Sequence, residues 1–300
     1  MAMDDSNLAD ESNQDSRGRV KLSVILPVRN GQAYLGEQLN ALVNQECSFV
    51  WELIVVDNGS SDSSLDIARV FQSRSSNVRV ISEPRAGKSY ALKAGKVSAN
   101  GDCLVLVDAD DIVAPRYLEN MVSALDNYEM VSGCMDTTLL NAPGMQQEYI
   151  SPDEIKTILG FLPYMGGGII GIRSSVWERI GDFATDLVSA EDVDFSWRAH
   201  LLGVTTSLVP GAVLHYRRPQ DAWSNFLKSR SYGRAHVWLF ERYRALGQPR
   251  LSIRVELHHI KLALLEVIRH EAHWKWRMAW HLGLVEGRLE ESIRRRTWYL

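Results

Sequence analysis

The sequence predicts an α/β protein with a mostly parallel sheet flanked by helices, followed by a helical C-terminal extension. Four short apolar runs within residues 22–107 alternate with segments whose apolar residues recur at helical spacing. Each run ends in a polar turn, and the links between elements are short. This alternation is typical of parallel strands joined by right-handed crossover helices. After residue 216 the helical pattern dominates.

The first three apolar runs, residues 22–26, 53–56 and 78–81, are predicted to be three strands. Apolar runs of this length fit strands that are covered on both faces. Polar turns follow them at residues 27–31, 57–62 and 83–89, and helical spacing follows each turn. We therefore expect three strand–turn–helix units in succession.

Three carboxylates directly follow the fourth apolar run, residues 104–107. Asp108, Asp110 and Asp111 repel one another unless a positive charge lies among them. A divalent cation with oxygen ligands, Mg²⁺ or Mn²⁺, answers this requirement and commonly brings a phosphate with it. The alternative is that Asp110 or Asp111 caps a helix that Pro115 opens.

The polar turns of a parallel sheet are expected to share one edge, because the carboxyl ends of its strands lie together and bind ligands there. That edge offers Asp57, Arg85, Lys88, Asp108 and Asp110. Basic groups and helix-start amides suit a phosphate, and carboxylates suit a metal that bridges to it. A nucleoside diphosphate with its metal meets both conditions. The glycine spacings of a P-loop or a G-x-G-x-x-G fingerprint are missing.

The second half of the body has a less regular pattern. Residues 131–135 are expected to form a strand at the sheet edge, residues 137–150 a polar loop, and Ser151 a helix cap. Triple glycine at 166–168 permits either close approach of the backbone to another group or a flexible strand entry.

Two further places carry candidate functional groups. Glu191 and Asp192 begin a predicted helix, where the helix dipole alone favours acids, although a carboxylate can also act as a general base. His215 follows the last predicted strand, and a lone histidine is more often structural than ligating. Arg217 and Arg218 either hold a diphosphate or begin the basic tail.

Charge divides the chain into three predicted regions. Residues 1–19 are polar and acidic and are expected to be disordered. Residues 20–216 carry a net charge of −10, and residues 217–300 carry +9. The tail has apolar stripes at 253–267 and 274–289, and Ala279, Gly283 and Gly287 suggest close helix contact. Packing or a homodimer is favoured over peripheral contact with an anionic membrane.

Composition excludes several other classes of protein. The three cysteines are an odd number, and Cys47 and Cys103 lie in or beside apolar runs. This favours reduced thiols and a cytoplasmic location, with peripheral contact at the inner membrane face as the alternative. The longest apolar runs are too short to span a bilayer, and the N-terminus lacks a signal-peptide core. No nucleic-acid recognition module is found, and the body is acidic, so nucleic acid is not an expected partner.

The motifs taken together resemble family 2 glycosyltransferases with a GT-A fold, a Rossmann-like architecture. The resemblance covers about residues 20–216, roughly two thirds of the chain, and rests on motifs in the family's order. These motifs are Pro27-Val28-Arg29-Asn30, Val55-Val56-Asp57-Asn58-Gly59-Ser60-Ser61-Asp62, Gly87-Lys88-Ser89-Tyr90-Ala91-Leu92, Asp108-Ala109-Asp110-Asp111 and Glu191-Asp192 with Trp197-Arg198.

The resemblance implies an inverting transferase that uses a UDP- or GDP-sugar and a hydroxyl acceptor, with Mg²⁺ or Mn²⁺. It implies that Asp192 is the general base, with Glu191 as the fallback. It also implies that Gly167 and Gly168 belong to the loop that lines the donor and acceptor site. Asp110 ligates the metal, and Asp108 and His215 are further candidates for that role. The nucleotide-binding residues implied are Pro27, Val28, Arg29, Asn30, Asp57, Arg85, Lys88, Asp108 and Ala109.

The chain also departs from the family. The Gln-x-x-Arg-Trp motif and the membrane spans of processive synthases are missing, so we expect non-processive transfer. Lys93 stands where relatives often carry Asn, which leaves contacts from that helix open. Two alternatives remain: a nucleotidyltransferase, which should show a glycine-rich basic loop after the first strand, and a non-catalytic protein that binds a nucleotide sugar, which would not need Asp192.

Overall fold

The computed structural model describes residues 19–146, 155–187, 189–269 and 273–299. The described chain forms two compact units, each assembled from three segments. The first contains residues up to Cys134, Gly167–Asp182 and Val204–Leu214; the second contains Met135–Gly166, Phe183–Gly203 and His215 onward. The expected disorder of residues 1–19 and the expected cap at Ser151 fall almost entirely outside the described residues. The predicted domains, 20–216 and 217–300, stay a prediction.

The first unit is built on a curved sheet that has eight strands within the described residues. They are β1 Leu22–Val28, β2 Trp51–Asp57, β3 Val78–Ser82, β4 Cys103–Leu106, β5 Ile112–Val113, β6 Met130–Asp136, β9 Ile170–Arg173 and β10 Thr206–His215. Their order across the sheet is β3-β2-β1-β4-β9-β6-β10-β5. A separate antiparallel pair, β7 Thr157–Ile158 and β8 Leu162–Pro163, lies in the second unit.

The four predicted strands are confirmed as the parallel half of this sheet. β1 pairs with β2 and β4, and β2 pairs with β3, all in parallel. Val28 is the register partner of Asp57, and Asp57 is the partner of Ser82, so their polar turns begin side by side. The central residues of β1, β2 and β4 are fully buried, as expected of strands covered on both faces.

Helices connect and cover the strands. In the first unit they are α1 Leu35–Val43, α2 Ser64–Arg74, α3 Lys88–Ser98, α4 Tyr117–Leu125 and α5 Ser174–Ile180. In the second unit they are α6 Glu191–Leu201, α7 Ala222–Tyr243, α8 Ile253–Ile268 and α9 Trp274–Arg295. None of the described helices is both long enough and apolar enough to cross a bilayer.

Two local expectations are wrong. β6 is not an edge strand, because β9 returns antiparallel between β4 and β6 and the sheet continues through β10 to β5. Asp110 and Asp111 do not cap α4, because that helix begins only at Tyr117 and β5 intervenes. Arg116 occupies the N-cap position at a φ of 61°, without a side-chain cap.

The second unit has an aromatic core formed by α6, α7 and the β7–β8 pair. Trp197 of α6 meets the rings of Phe161 and Tyr243 edge to face, with ring centroids 5.0 Å apart in both pairs. Its indole N–H donates to the carbonyl of Leu162 at 3.1 Å. These contacts fix the body of α6, and therefore its first turn.

Close contact between α7 and α9 occurs through glycines, as the four-residue spacing predicted. A Cβ atom on Gly283 would collide with the backbone of Phe226, and one on Gly287 would collide with the backbone of Arg230. Gly283 and Gly287 are buried, whereas Leu282 and Leu289 of the apolar stripe are exposed. Two long helix backbones can approach this closely only where side chains are absent.

Candidate active site

The turns after β1 and β2 are joined by side-chain hydrogen bonds. Asn30 has a φ of 53°, and its side-chain oxygen accepts a hydrogen bond from the Ser61 amide at 2.8 Å. Its own amide donates to the Ser60 hydroxyl at 3.1 Å. Pro27 and Val28 end β1 beneath this turn, while Arg29 and Asn30 are exposed. The predicted nucleotide-binding segment is thus held against the segment that carries Asp57.

Asp57 is the last residue of β2 and is buried, with one carboxylate oxygen 3.3 Å from the Ser60 amide that donates to it. Its neighbour Asn58 holds the next turn. The Asn58 side chain donates to the carbonyls of Glu83 and Arg85 at 2.9 and 2.7 Å and accepts from the Gly87 amide at 2.8 Å. Asn58 lies inside one of the recognised motifs, but no role was predicted for it.

Arg85 is held by a bidentate pair with Glu83. Its Nε and Nη2 donate to the two carboxylate oxygens at 2.8 and 2.7 Å, and this pairing lowers the pKa of Glu83 to about 2. The guanidinium carbon also lies 4.8 Å from the centroid of the Tyr90 ring. The Arg85 side chain remains 60% exposed, so a restrained cation faces solvent next to the N-terminus of α3.

Neighbouring residues hold both the side chain and the backbone of Asp108, in the turn after β4. The ammonium of Lys88, the first residue of α3, forms an ion pair with it. Its backbone carbonyl accepts a hydrogen bond from Gln38 Nε2 at 2.9 Å, and Gln38 Oε1 accepts from the Val113 amide at 3.0 Å. Gln38 is fully buried on an otherwise apolar helix face. A polar residue in that position is a sequence signal, but Gln38 was not predicted to support the site.

The glycine segment before β9 lies directly against this carboxylate. A Cβ atom on Gly168 would be 2.8 Å from Asp108 Oδ2, and Gly167 and Gly168 are both buried. Close backbone approach is therefore the structural use of these glycines, rather than a flexible strand entry. Ala109 is half-buried, Asp110 is exposed and Asp111 is buried.

The Asp108–Asp110 turn has the donor chemistry of a Mg²⁺ or Mn²⁺ site that is completed by a substrate. Among the residues that the structure describes, no group of three His, Cys, Asp or Glu side chains is preassembled around a cation position. Magnesium commonly binds through one or two carboxylates plus substrate phosphates. Asp108 beside Lys88 and Gly168, followed two residues later by the exposed Asp110, fits that pattern. The residues present therefore fit a diphosphate-bound cation.

In the second unit, Glu191 and Asp192 are the first residues of α6 and are half-buried. Ala190 precedes them at a φ of 59°, and Asp192 Oδ1 accepts from the Val193 amide at 2.9 Å. Burial, and secondarily the negative charge of Asp192, raises the pKa of Tyr164. The Asp192 carboxylate is thus within electrostatic reach of a tyrosine hydroxyl that the sequence analysis did not consider.

Asp194, two residues further on, anchors the first turn of α6. It is fully buried, and Tyr243 Oη of α7 donates to it at 2.7 Å. Arg198 Nε donates at 2.9 Å, and Arg242 Nη1 lies 3.1 Å away. The pKa of Tyr243 is raised chiefly by burial and then by the charge of Asp194. This buried network fixes the helix turn that carries Asp192.

His215 ends β10, and its Nδ1 lies 2.8 Å from Asp136 Oδ2. Asp136, which is 79 positions away from His215 in the chain, was not among the predicted site residues. The predicted site residues therefore fall in both units. The residues from Pro27 to Asp110, together with Gly167 and Gly168, belong to the first unit; Glu191, Asp192 and His215 belong to the second. Within the first unit, Lys88, Asp108 and Gly168 are brought together.

The sequence matches the family model described as glycosyl transferase family 2 over residues 23–180, more than half of the chain. The chain belongs to this family. The match covers the parallel strands, the Asp108–Asp110 turn and the glycine segment, so the resemblance drawn from the motifs is confirmed. The fold is the expected GT-A fold, a mostly parallel sheet flanked by helices, with additional helices at the C-terminus.

Among curated proteins, the chain is 25% identical over 251 residues to the uncharacterized glycosyltransferase YibD of Escherichia coli, covering 82% of this chain and 70% of that one. Among solved structures, it is similar to the mannosyltransferase PcManGT from Pyrobaculum calidifontis in complex with GDP-Man and Mn²⁺. That likeness has a TM-score of 0.64 at 19% identity and covers 91% and 87% of the two chains. Staphylococcus aureus TarS 1–349 in complex with UDP-GlcNAc gives 0.55 at 18% identity, covering 94% and 93%.

Proposed function

We propose that this protein is a metal-dependent, inverting and non-processive glycosyltransferase. It moves one sugar from a UDP- or GDP-sugar to an acceptor hydroxyl in the synthesis of a glycan, a glycolipid or a glycosylated natural product. The observation that carries the proposal is the cluster of Lys88, Asp108 and Gly168 at the carboxyl ends of the parallel strands. The structural relatives that bind GDP-Man with Mn²⁺ and UDP-GlcNAc support the substrate class.

The donor nucleotide is assigned to the first unit. Asp57 receives the base, with Pro27, Val28, Arg29 and Asn30 beside it, and Arg85 and Lys88 contact the nucleotide. Asp108 and Ala109 receive the ribose side, and Gly167 and Gly168 allow the sugar to approach Asp108. Asp110 would hold Mg²⁺ or Mn²⁺, and Asp108 and His215 are each further candidates for that role. When bound, this ion offsets the negative charge that develops on the leaving diphosphate.

The acceptor is activated by Asp192 in this proposal. Its carboxylate takes the proton of the acceptor hydroxyl, and the hydroxyl oxygen then attacks C1 of the sugar from the face opposite the diphosphate. The new C1–O bond forms as the C1–O bond to the diphosphate breaks, so one displacement inverts the anomeric centre. The Asp194 network keeps the first turn of α6 from moving during this step.

Substitution of Asp192 tests the base assignment. We expect Asp192→Asn to lower turnover of the accepted nucleotide sugar by about 10²-fold or more, the usual contribution of a general base, while donor affinity changes little. Proton NMR follows both release of the sugar and the anomer formed first, including the slow transfer to water, so the acceptor need not be known. Inverted sugar from the wild type supports the proposal.

Two variants make this result specific. Glu191→Gln changes the adjacent carboxylate and should retain most of the activity, and Asp66→Asn changes an exposed acid in the first turn of α2. Full activity in Asp192→Asn with loss in Glu191→Gln would move the base to Glu191. A wild type that binds nucleotide sugars but never turns them over would favour the non-catalytic alternative, and transfer of a nucleotidyl group would favour a nucleotidyltransferase.

The cytoplasmic location and the partner of the C-terminal helices stay predictions. Exposed apolar side chains on α9, among them Leu282, Leu289 and Ile293, are compatible with a homodimer or with peripheral membrane contact. Size-exclusion chromatography with light scattering, and flotation with anionic liposomes, distinguish the two.

A further inference from the structure

Asp136 and His215 form a buried carboxylate–histidine pair in the second unit. Asp136 ends β6, His215 ends β10, and the two side chains meet at 2.8 Å between Oδ2 and Nδ1. The Asp136 and His215 side chains are only 11% and 21% exposed. A partly buried histidine needs a hydrogen-bond partner, and a carboxylate partner decides which ring nitrogen is the donor.

The second oxygen of Asp136 is already occupied. Oδ1 accepts hydrogen bonds from the Thr138 amide at 2.8 Å and from the Thr138 hydroxyl at 2.6 Å. A carboxylate that accepts two hydrogen bonds at one oxygen is an acceptor at its other oxygen as well, so the Nδ1 atom of His215 is the donor. With its proton at Nδ1, a neutral imidazole carries its lone pair on Nε2.

The backbone around the pair is fixed as well. The Tyr216 amide donates to the Asp136 carbonyl at 2.7 Å. Asn141 is buried, donates to the carbonyls of Thr137 and Tyr216 at 2.9 and 2.7 Å, and accepts from the Arg218 amide at 2.8 Å. The loop after β6 thus holds the residues that directly follow His215, and the Asp136 contact orients the imidazole itself.

We infer that Asp136 is a positioning residue that fixes His215 with its Nε2 lone pair available to ligate a divalent cation. Histidine ligands of metals usually donate their other ring N–H to a carboxylate, and this partner sets both the tautomer and the ring orientation. The inference rests on the proposed function, because it takes His215 to be a ligand of that cation. It adds the reason why this histidine, among the eight in the chain, is preorganised to be one.

The substitution Asp136→Asn has a specific consequence. Asparagine has one acceptor oxygen, and the two donors of Thr138 retain it. Its NH₂ group then faces Nδ1 of His215 and requires an acceptor there, which moves the imidazole proton to Nε2. A protonated Nε2 cannot ligate a metal, so the variant keeps the histidine but disables it. We expect Mn²⁺ affinity to fall by about 10-fold or more.

The experiment measures bound Mn²⁺ by electron paramagnetic resonance, for Mn²⁺ alone and for Mn²⁺ with UDP or GDP, in a double-mutant cycle. Asp136→Asn and His215→Gln should each weaken Mn²⁺ binding, and Asp136→Asn should add nothing in the His215→Gln background. Asp221→Asn is the matched control: Asp221 also accepts the amide and hydroxyl of a serine three residues on, at 2.9 and 2.6 Å, with no histidine in these bonds. It should leave Mn²⁺ affinity unchanged.

The outcomes separate the inference from the proposal beneath it. If His215→Gln weakens Mn²⁺ binding and Asp136→Asn does not, or if the two effects add, the positioning role is wrong while the metal site stands. If His215→Gln leaves Mn²⁺ binding intact, the metal role of His215 fails first. Nitrogen-15 NMR of the wild type, with His215→Gln for assignment, tests the tautomer without relying on Asp136→Asn. A proton on Nδ1 supports the inference, and a neutral ring with its proton on Nε2 overturns it.

Discussion

At the scale of single residues, buried polar side chains hold the candidate site in place. Gln38 spans the Asp108 turn, Asn58 holds the Arg85 loop, and Asp194 fixes the first turn of α6. The motifs revealed Asp108 and Asp192, because those residues lie within short recognisable strings. The motifs could not reveal these supports, because the partners of Gln38 and Asp194 lie 70 and 49 positions away, and such bonds exist only after folding.

His236 on α7 gives a pH-dependent prediction at this scale. It is buried, and burial together with the positive charge of Arg288 lowers its pKa from 6.5 to about 3. Arg288 Nη2 lies 2.9 Å from His236 Nδ1, which therefore acts as the acceptor. The folded state keeps the ring neutral, while the unfolded chain takes up a proton below pH 6.5, so stability is highest above that pH and falls as the pH decreases.

We expect His236 to reduce the free energy of unfolding by about 2 kcal/mol between pH 7 and pH 5. His236→Gln retains an acceptor for Arg288 and removes the titration. Urea unfolding of both proteins at the two pH values isolates this contribution as the change in their difference. Parallel pH dependence of the two proteins would show that His236 is protonated in the fold.

At the scale of elements, the four parallel strands were predictable, and helix packing was only partly so. Apolar runs of four or five residues ending in polar turns specify parallel strands, because burial on both faces leaves few other choices. β9 was harder to place, since nothing local shows that a strand returns antiparallel into the middle of the sheet. On α9 the contact with α7 follows the glycines, because contact between helix backbones depends on where side chains are missing.

The contact of α9 with α7 gives a prediction at this scale. Gly287→Ala places a methyl group against the backbone carbonyl of Arg230, which cannot move as a side chain tip can. We expect a loss of about 1–3 kcal/mol in the free energy of unfolding, measured by urea denaturation. Gly36→Ala in α1 is the matched control, because a Cβ atom there has no neighbour within 4 Å.

Alanine has a higher helix propensity than glycine, so Gly36→Ala should be neutral or stabilising by up to about 1 kcal/mol. Equal effects of the two substitutions would mean that α7 and α9 are not in contact at Gly287 in solution.

At the scale of the whole molecule, the family and the fold followed from the sequence, because several motifs occur in one order. The two compact units were not foreseen, since each is assembled from three segments that alternate along the chain. Charge alone also gave an incomplete account of the basic tail. Arg230 pairs with Glu286 and Glu290 at 2.9 and 2.8 Å, so part of its positive charge is compensated within the second unit.

The measurement that tests the central claim most directly is calorimetric titration of a panel of UDP- and GDP-sugars, with and without Mn²⁺, into wild type and Asp110→Ala. We expect one nucleotide sugar to bind the wild type only with Mn²⁺, and Asp110→Ala to lose that Mn²⁺-dependent affinity. Asp102→Ala, which removes an exposed acid before β4, should bind as the wild type does. Unchanged affinity in Asp110→Ala, or binding that is indifferent to Mn²⁺, would contradict the account.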